Sequence, residues 1–447
     1  MNLSIKLTKR NTIRVAEFEK LYYDEHRPFQ KKHWEALCRY QEQQYKNGEK
    51  GIEYFRILNK GVQFTNYVGV IQAGNLTIEI LPKTDKSLVT ATNESFEQLD
   101  KKTAAEKQKW HSVLLQMLKE CRLLQVNHVN YAHLHLKSNS ILEIYLELFL
   151  THAEKLLHEG LIKKYKRREG NQLALKGQLL FSKNLSYNLV HQERFYVRFI
   201  EYNRDNIFNR LLYKTLCLIP HLSSNPRLND KVNRLLLDFP ELPDCRVSAE
   251  TFSGLVFDRK SERYKEALLI SKMLLLNYRP DITGGAENVI AILFDMNELW
   301  EEFVYRRLKK SAGPGTEVYR QQKKDFWWNS QSNYSKKIRP DIIISKNSNT
   351  VVVDTKWKII TDNNPADADL KQMFVYNLFW DADRSILLYP GSLNASDGSF
   401  YHFNLSRQQK GEAGEVFFKH CSINFINVLQ EGKLTDNSPF IEFLAKI

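Results

Sequence analysis

Two short runs in the last third of the chain carry side chains whose types and spacing suit catalysis. Asp341 opens the apolar run in RPDIII, and Asp354 and Lys356 close the valine run in VVVDTK. Alternate residues of a strand project from one face, so Asp354 and Lys356 are predicted to point together while Thr355 faces away. If the two runs pair as neighbouring strands, Asp341 reaches the same pocket.

This set of groups suits the hydrolysis of a phosphodiester bond. Both runs are apolar enough to lie inside a sheet, where an ionised carboxylate is costly unless it is paired or bound to a cation. Two carboxylates can hold Mg²⁺, which activates water and neutralises developing charge. Lys356 could orient that water or stabilise the transition state. The competing interpretation is two aspartates at strand ends and a surface lysine, since short motifs also arise by chance.

The flanking elements favour the catalytic interpretation. Gln372 and Tyr376 are four residues apart, which places both on one face of the helix predicted over DADLKQMFVYNLFW. The helix LFDMNELWEEFVYRRLKK precedes the strands and carries Glu301 and Glu302, either of which could supply a third carboxylate. The exposed face of an amphipathic helix would explain these glutamates equally well. The order helix, strands, helix, strand is typical of an α/β domain.

The rest of the chain is expected to contain further domains, because 447 residues exceed one ordinary core. Residues 1–125 are predicted to form a mixed domain with a helix over 28–47, a β-meander over IEYFRIL, GVQFTNYVGVIQ and LTIEILPK, and a loop over 83–103. The resulting fold class is α+β and multidomain: this meander, then a helical region, then a C-terminal α/β domain over 286–447.

The middle region, 126–285, is predicted to be mainly helical, with one strand pair near 173–200. A connector rich in Gly and Asp, at 280–288, marks its end.

The net charge of +13 is unevenly distributed and points toward a polyanion. Residues 286–447 hold 20 basic and 20 acidic groups, so the whole excess lies before them. Residues 161–220 hold 12 basic and 4 acidic groups. They begin with the basic run Lys163, Lys164, Lys166, Arg167 and Arg168. A surface that contacts DNA phosphates and a solvated helix end are both compatible with this run.

Two further clusters have ordinary interpretations. His128, His133 and His135 lie close together, but only Cys121 is near enough to complete a zinc site, so strand histidines are favoured. Trp327 and Trp328 are expected to be packing residues rather than rings that stack on bases.

The compartment is expected to be the cytoplasm. The five cysteines are scattered and never form a CxxC pair, which disfavours disulfide frameworks and iron–sulfur clusters. No long apolar run or signal peptide is present, so no membrane association is expected.

Together these motifs resemble the PD-(D/E)XK nuclease superfamily, with PD at 340–341, DTK at 354–356 and QxxxY at 372–376. More narrowly, the chain resembles the McrC family, the nuclease subunits of McrBC-type modification-dependent restriction systems. That resemblance rests on YVGVIQAGNLTIEILPK, GLIKKY, LKGQL, DNIFNRLL, FDMNELWEEF and LLYP, in this order over about 67–390.

The resemblance implies a restriction-endonuclease-like C-terminal domain that cuts double-stranded DNA. It places the metal-binding aspartates at Asp341 and Asp354, the catalytic lysine at Lys356 and, more weakly, a further carboxylate at Glu301. It also implies a partner, a McrB-like AAA+ GTPase ring on which the subunit docks and whose GTP hydrolysis it stimulates. No GxxxxGK[ST] sequence occurs here, so the partner must supply the GTPase. Residues 1–50 match no feature of the family.

Two other functions stay open at this point. The chain could act mainly as a docking and GTPase-activating subunit with a weak or dispensable nuclease centre. It could instead be a RecB-like exonuclease, which shares the pattern at Gln372 and Tyr376. The intact Asp341, Asp354 and Lys356 favour an active nuclease over the first alternative.

Overall fold

The computed structural model describes residues 11–46, 53–82, 96–123, 140–279, 288–331, 333–347, 349–358, 360, 363–401, 417–430 and 433–447. Within them the α-helices are α1 (Lys31–Lys46), α2 (Phe96–Glu120), α3 (Ile141–His158), α4 (Phe181–Asn188), α5 (Ile207–Leu222), α6 (Pro226–Asp238), α7 (Ala249–Ser253), α8 (Lys265–Asn277), α9 (Met296–Ser311), α10 (Asp367–Trp380) and α11 (Ser438–Ala445). None of these described helices is both long enough and apolar enough to span a membrane.

The strands of the first two thirds of the chain are β1 (Asn11–Ala16), β2 (Lys20–Tyr22), β3 (Phe55–Leu58), β4 (Gly61–Phe64), β5 (Tyr67–Ala73), β6 (Leu76–Leu81), β7 (Lys164–Gln172), β8 (Gln178–Leu179), β9 (Phe195–Asn203), β10 (Tyr278–Arg279) and β11 (Val289–Asp295). Those that follow are β12 (Thr316–Arg320), β13 (Lys324–Asn329), β14 (Tyr334–Ile338), β15 (Ile342–Lys346), β16 (Asn349–Thr355), β17 (Arg384–Pro390), β18 (Ser396–Tyr401), β19 (Phe417–Ile426), β20 (Leu429–Gln430) and β21 (Lys433–Leu434).

The largest sheet has six strands in the order β12-β15-β16-β17-β19-β18. β16, β17 and β19 are parallel neighbours, whereas β12, β15 and β18 are antiparallel to the strands beside them. A five-stranded sheet has the order β1-β6-β5-β11-β10, and two three-stranded sheets have the orders β2-β4-β3 and β7-β9-β8. β13-β14 and β20-β21 form two-stranded sheets. The fold is therefore mixed α+β with several sheets.

The centre of the six-stranded sheet follows from its sequence. β16 and β17 are rich in valine, isoleucine and leucine, which suit strands buried on both faces of a parallel sheet. Helix α10 packs against β16, β17 and β19. It ends at Trp380, and the left-handed backbone of the next residue, Asp381 (φ 49°), lets the amide of Ala382 bond back to Asn377, so the chain turns directly into β17.

The chain divides into two compact units, and each is described by itself. The first comprises Met1–Thr12, Ile71–Thr77 and Val126–Ile292. Its core includes α3, whose apolar residues are mostly buried, and α3 packs against α6 and α8. The basic run lies beside this helical core, on the exposed strand β7, which pairs with β9 along its whole length.

The second unit comprises Ile13–Val70, Ile78–Gln125 and Leu293–Ile447. It combines the six-stranded sheet with residues from the first quarter of the chain. The indole of Trp357 donates a hydrogen bond to Glu17 (2.9 Å), and Arg307 forms an ion pair with Glu120. These buried polar contacts tie sequence-distant segments together inside one unit. The division predicted at residues 125 and 285 remains a prediction.

Several elements differ from the sequence-based expectation. The predicted single meander is wrong, because β3 and β4 pair with β2 whereas β5 and β6 belong to the five-stranded sheet. The predicted loop over 83–103 is too long, because α2 already begins at Phe96, and residues 83–95 lie outside the described residues. The connector at 280–288 lies outside them too, apart from Asn288. A helix end, one of the two interpretations of the basic run, is wrong, because the run from Lys164 onward lies in strand β7, which pairs with β9.

Candidate active site

The antiparallel pairing of β15 with β16 brings the two predicted aspartates together. Ile342 lies opposite Val353, so Asp341, one residue before β15, comes beside the end of β16. The two runs are neighbouring strands, which is the condition under which Asp341 was expected to reach the same pocket. The amide and the hydroxyl of Thr355 both donate to Asp341 Oδ2, each at 2.8 Å. The expectation that Thr355 faces away is therefore wrong, because its short hydroxyl bonds to this carboxylate at the strand end.

Lys356 lies against the second aspartate, as the strand spacing predicts. Its Nζ is 2.8 Å from Asp354 Oδ2 and 3.3 Å from Asp369 Oδ1. Asp354 is almost fully buried, at 2% exposure, and Lys356 is only slightly more accessible. Asp369 stands in the first turn of α10, where the positive end of the helix dipole favours a carboxylate. The lysine is thus held between two buried acids.

Helix α10 also supplies the predicted pair Gln372 and Tyr376. Lys356 Nζ donates to Gln372 Oε1 (3.1 Å), and Gln372 Nε2 donates to the Tyr376 hydroxyl (2.8 Å). That hydroxyl donates in turn to the carbonyl of Arg339 (3.0 Å), two residues before Asp341. The chain of bonds fixes Lys356 relative to the segment that leads into Asp341. Spacing on one helix face predicts this arrangement.

Of the two candidate glutamates in α9, Glu301 is the one that interacts electrostatically with an aspartate of the centre, Asp341. Its Oε1 accepts from Gln321 Nε2 at 2.5 Å and from Arg320 Nε at 3.3 Å. The backbone amide of Gln321 donates to the carbonyl of Asp341 (3.0 Å). Glu302 instead forms ion pairs with Arg306 and Arg320. Glu301 is thus linked through Gln321 to Asp341.

The acids of this centre have raised pKa values, with burial as the first cause. Burial and then the charge of Asp341 raise the pKa of Asp354 to about 7. Burial also raises the pKa of Asp341 against the lowering effect of Thr355, and burial followed by Asp341 raises that of Glu301. Burial lowers the pKa of Lys356, but Asp354 and Asp369 outweigh it, so the pKa stays above its usual range and the ammonium remains charged.

These donors fit a hard divalent cation. Asp354 Oδ2 is buried and accepts no well-aligned hydrogen bond, although Lys356 lies beside it, and the neighbouring Asp341 offers a second carboxylate. Within the described part of the chain, no three His, Cys, Asp or Glu side chains group as a complete metal site. Mg²⁺ suits a pair of carboxylates because it usually retains waters or takes phosphate oxygens as further ligands.

The basic run is more fully paired than its sequence suggests. Lys166 lies 3.1 Å from Asp205 and Arg168 lies 2.8 Å from Glu201. Lys164 lies 3.8 Å from Asp258 and 4.3 Å from the ring centre of Phe208, and Lys163 is 6.0 Å from that of Tyr202. Arg167 occupies the same exposed strand. These residues lie in the first unit, whereas the acidic centre lies in the second.

The remaining clusters have separate outcomes. His128, His133 and His135 lie outside the described residues. Trp327 and Trp328 are about half exposed, which contradicts the expectation that they are packing residues.

A family model described as McrBC 5-methylcytosine restriction system component matches residues 62–390. The match takes in 329 of the 447 residues. The chain belongs to the McrBC family. The candidate centre from Glu301 to Tyr376 lies wholly inside the matched range, as does β7 with the basic run.

Individual relatives of the McrBC family agree with this assignment. The Type IV methyl-directed restriction enzyme EcoKMcrBC of Escherichia coli (strain K12) is 22% identical over 191 residues. That match covers 41% of this chain and 54% of the relative, so the chain spans about half the length of the curated relative it matches.

Two solved structures share the fold. The assembly of Thermococcus gammatolerans McrB AAA+ hexamers with bound McrC matches with a TM-score of 0.67 at 19% identity, over 98% of this chain and 100% of that chain. The cryo-EM structure of the Thermococcus gammatolerans McrBC complex matches with a TM-score of 0.50 at 19% identity, over 70% and 90%. The resemblance to McrC drawn from the sequence is confirmed.

Three residues of the candidate centre were not predicted from the sequence of this McrBC-family chain. Asp369 precedes Gln372 by three positions and Tyr376 by seven, so helical spacing could have placed it on the same face. Thr355 was assigned to the wrong side. Gln321 gave no signal in the sequence, because its role depends on the pairing of β12 with β15 and on its left-handed backbone (φ 50°).

Proposed function

We propose that this chain is the Mg²⁺-dependent DNA endonuclease subunit of an McrBC-type restriction system. Its catalytic centre would be that of a restriction-endonuclease-like PD-(D/E)XK domain built on the six-stranded sheet. The observation that carries the proposal is the juxtaposition of Asp341 and Asp354 at adjoining strand ends, with Lys356 Nζ 2.8 Å from Asp354. Buried acids that the protein leaves undercompensated are typical of sites that receive a cation.

Each side chain has a role that its contacts support. Asp341 and Asp354 would hold Mg²⁺, which supplies an activated water and neutralises phosphate charge. Thr355 orients the Asp341 carboxylate through two hydrogen bonds. Lys356 would place its positive charge on the scissile phosphate, where a preorganised cation stabilises the charge that develops.

The residues around Lys356 keep its ammonium in place. Gln372 and Asp369 contact Nζ from one helix face, so the lysine remains held when a cation competes for Asp354. Tyr376 in turn holds Gln372.

The proposed partner is a McrB-like AAA+ GTPase ring. The Thermococcus gammatolerans assembly of similar fold contains McrB AAA+ hexamers with bound McrC. The first unit offers a suitable surface around β7, β9 and α4, where large apolar side chains are exposed. They include Tyr165, Leu173, Phe181, Tyr187, Leu189, Val190 and Ile200. Apolar exposure on this scale is typical of a protein interface. That surface belongs to the first unit, whereas the proposed nuclease centre belongs to the second.

The test is a cleavage assay on methylated and unmethylated plasmid, with the partner GTPase, GTP and Mg²⁺. Wild type is compared with Asp354→Ala, and GTP hydrolysis is recorded in the same tubes. We expect the variant to stop cutting while it still stimulates GTP hydrolysis, because Asp354 belongs to the second unit, whereas the proposed docking surface belongs to the first. Asp367→Ala is the matched control, since this aspartate lies exposed in the first turn of α10.

Each failure has a distinct meaning. Cleavage by Asp354→Ala at the wild-type rate would overturn the catalytic assignment and favour a docking and GTPase-activating role. Cleavage of unmodified plasmid by wild type without the partner would overturn the dependence on the ring while leaving the nuclease centre in place. Loss of both cleavage and GTPase stimulation by a folded Asp354→Ala would contradict the proposed separation of the two roles.

A further inference from the structure

A hairpin with exposed aromatic rings is inserted along the chain between two paired strands of the six-stranded sheet. The aromatic hairpin consists of β13 and β14, paired from Lys324 opposite Ile338 to Asn329 opposite Tyr334. It stands between β12 and β15, and its second strand leads through Arg339 and Pro340 into Asp341. The insertion therefore begins and ends beside residues of the candidate active site.

Strand β13 of the hairpin carries two exposed indoles. Trp327 is 48% exposed and Trp328 is 62% exposed, whereas Trp300, Trp357 and Trp380 are buried. Phe326 and Tyr334 are also about half exposed. A cluster of exposed large rings on a short hairpin is costly in water, and such patches mark contact sites.

The two indoles lie on opposite faces of the hairpin. Trp327 is opposite Lys336 and Trp328 is opposite Ser335, and consecutive residues of a strand project to opposite sides. Lys336 Nζ lies 5.8 Å from the centre of the Trp327 ring. Each face of the hairpin thus presents an indole, and Lys336 lies beside the indole of Trp327.

The charge of the hairpin favours a polyanion. Residues 322–339 contain five basic groups and one acidic group, Asp325. The rest of 286–447 contains 15 basic and 19 acidic groups, so this insertion reverses the local sign of charge. The one acidic group, Asp325, lies 3.6 Å from Lys337 and accepts a hydrogen bond from Ser335. The basic residues Lys323, Lys336 and Arg339 also occupy exposed positions of this insertion.

The base of the hairpin is fixed to the catalytic helix α10. Lys324 Nζ donates to the carbonyl of Phe379 (2.6 Å), and the rings of Phe326 and Phe379 lie 5.6 Å apart. Tyr376 donates to the carbonyl of Arg339, and through Gln372 it connects to Lys356. The orientation of the tip is therefore set by the same helix that positions the catalytic lysine.

We propose that the aromatic hairpin positions duplex DNA beside the nuclease centre, with its lysines on phosphates and its tryptophans against bases. The six residue-to-residue steps from Ser335 to Asp341 span at most about 20 Å, so the indoles would meet the duplex within roughly six base pairs of the scissile phosphate. Aromatic rings stack on bases of any sequence, and cations beside them meet the backbone. This inference rests on the proposed nuclease function, since it names the substrate contact of that centre.

The test measures binding and base unstacking without cleavage. The full chain carrying Asp354→Asn is titrated into a fluorescein-labelled 40-base-pair duplex at low salt, with anisotropy as the readout. The same duplex carries 2-aminopurine at successive positions to report unstacking. Adding Trp327→Ala and Trp328→Ala together should weaken binding about tenfold and abolish the 2-aminopurine signal, because base stacking on an aromatic ring contributes strongly to affinity.

Three further variants act as controls. Trp327→Tyr with Trp328→Tyr should restore most of the affinity, since the rings remain. Tyr401→Ala removes a ring of comparable exposure from β18 and should leave binding unchanged. Lys336→Gln should weaken binding to all sequences equally and reduce its salt dependence, because a phosphate contact releases counterions. All the changed side chains are exposed, so folding should be retained, as circular dichroism would verify.

Several outcomes would overturn the proposal. The first is that the Asp354→Asn protein does not bind the duplex at low salt. The second is that the tryptophan double variant binds with unchanged affinity. The third is that the double variant loses stimulation of the partner GTPase while its DNA binding stays intact. The last result would mean that the rings contact the partner protein instead. None of these readouts requires cleavage, so they are distinguishable from failure of the nuclease assignment, which shows only as cutting by Asp354→Ala.

Discussion

The acidic centre around Asp354 and the basic strand β7 contain ion pairs of similar length in very different surroundings. Lys356 lies 2.8 Å from Asp354, and Arg168 lies 2.8 Å from Glu201. Yet the side chain of Lys356 is 18% exposed and that of Arg168 is 45% exposed. Water screens the exposed pair, whereas the buried pair interacts through a low dielectric. Distance alone therefore does not identify a reactive site.

The balance of charge separates the two regions further. On β7 and its neighbours, Lys166, Arg168 and Arg210 converge on Asp205, and Arg210 first and then Lys166 hold the pKa of Asp205 down at about 2. At the centre, one lysine faces several acids, and burial first and then the charge of Asp341 raise the pKa of Asp354. The cations of the first region are paired with its own carboxylates, whereas the acids of the second would gain from an added cation. That difference favours the acidic centre over the basic strand as the proposed site of catalysis.

The largest effect should come from replacing the buried lysine. Lys356→Met is expected to lower kcat for plasmid cleavage by about a hundredfold or more, because a preorganised charge at the phosphate is lost. Lys358→Met is the matched control, since Lys358 contacts the same Asp369 at 3.3 Å but is mostly exposed. Its kcat should stay within about threefold of wild type. Steady-state kinetics with the partner GTPase and saturating Mg²⁺ measure both variants.

Equal losses of activity in Lys356→Met and Lys358→Met would contradict the claim that only the buried lysine acts in catalysis. Such a result would mean that Asp369 organises both lysines for a common purpose. A large rise in KM with unchanged kcat for Lys356→Met would instead assign this residue to ground-state DNA binding.

The next effect concerns stability and pH in the absence of metal. The pKa of Asp354 is raised from 3.8 to about 7 in the folded protein, so between these values the folded state holds a proton that the unfolded chain has released. Stability should therefore fall as pH rises from about 4 to about 7 and then level off. Asp354→Asn lacks this titrating group. Between about pH 4 and pH 7 its free energy of unfolding should therefore rise relative to that of wild type, by at most ~4 kcal/mol.

Urea unfolding in EDTA at successive pH values measures this difference. Adding Mg²⁺ above pH 7 should stabilise wild type and leave Asp354→Asn nearly unchanged, because only a folded site binds the ion. Asp367→Asn, at an exposed position of the same domain, controls for the loss of a negative charge. Parallel pH curves for wild type and Asp354→Asn would show that burial does not perturb this carboxyl.

The centre could be predicted from sequence because its geometry is local. Alternation along β16 pairs Asp354 with Lys356, and helical spacing in α10 pairs Gln372 with Tyr376. Both relations depend on a regular repeat that the sequence displays directly. The pairing of β15 with β16 stood only as a condition at the level of sequence, and the structure meets that condition.

Other features required tertiary information. Nothing in IEYFRIL or LTIEILPK indicates that β3 and β6 join different sheets, since strand patterns do not name their partners. The exposure of Trp327 and Trp328 contradicts residue preference, because large rings are usually buried and only the hairpin geometry keeps them outside. The ion pairs of the basic run join residues some 40 positions apart, such as Lys166 with Asp205. A charge count cannot detect that compensation.

The smallest effect should come from the basic strand. Lys166→Gln with Arg168→Gln is expected to change the free energy of unfolding by no more than ~1 kcal/mol, because exposed ion pairs contribute little. If β7 contacts DNA, the slope of log affinity against log salt should fall by less than about one for the pair, since both cations already share carboxylates. Salt-dependent anisotropy with the aromatic hairpin variant Lys336→Gln as reference measures this slope. A larger loss on β7 than on the hairpin would reverse the comparison and place the main DNA contact on the first unit.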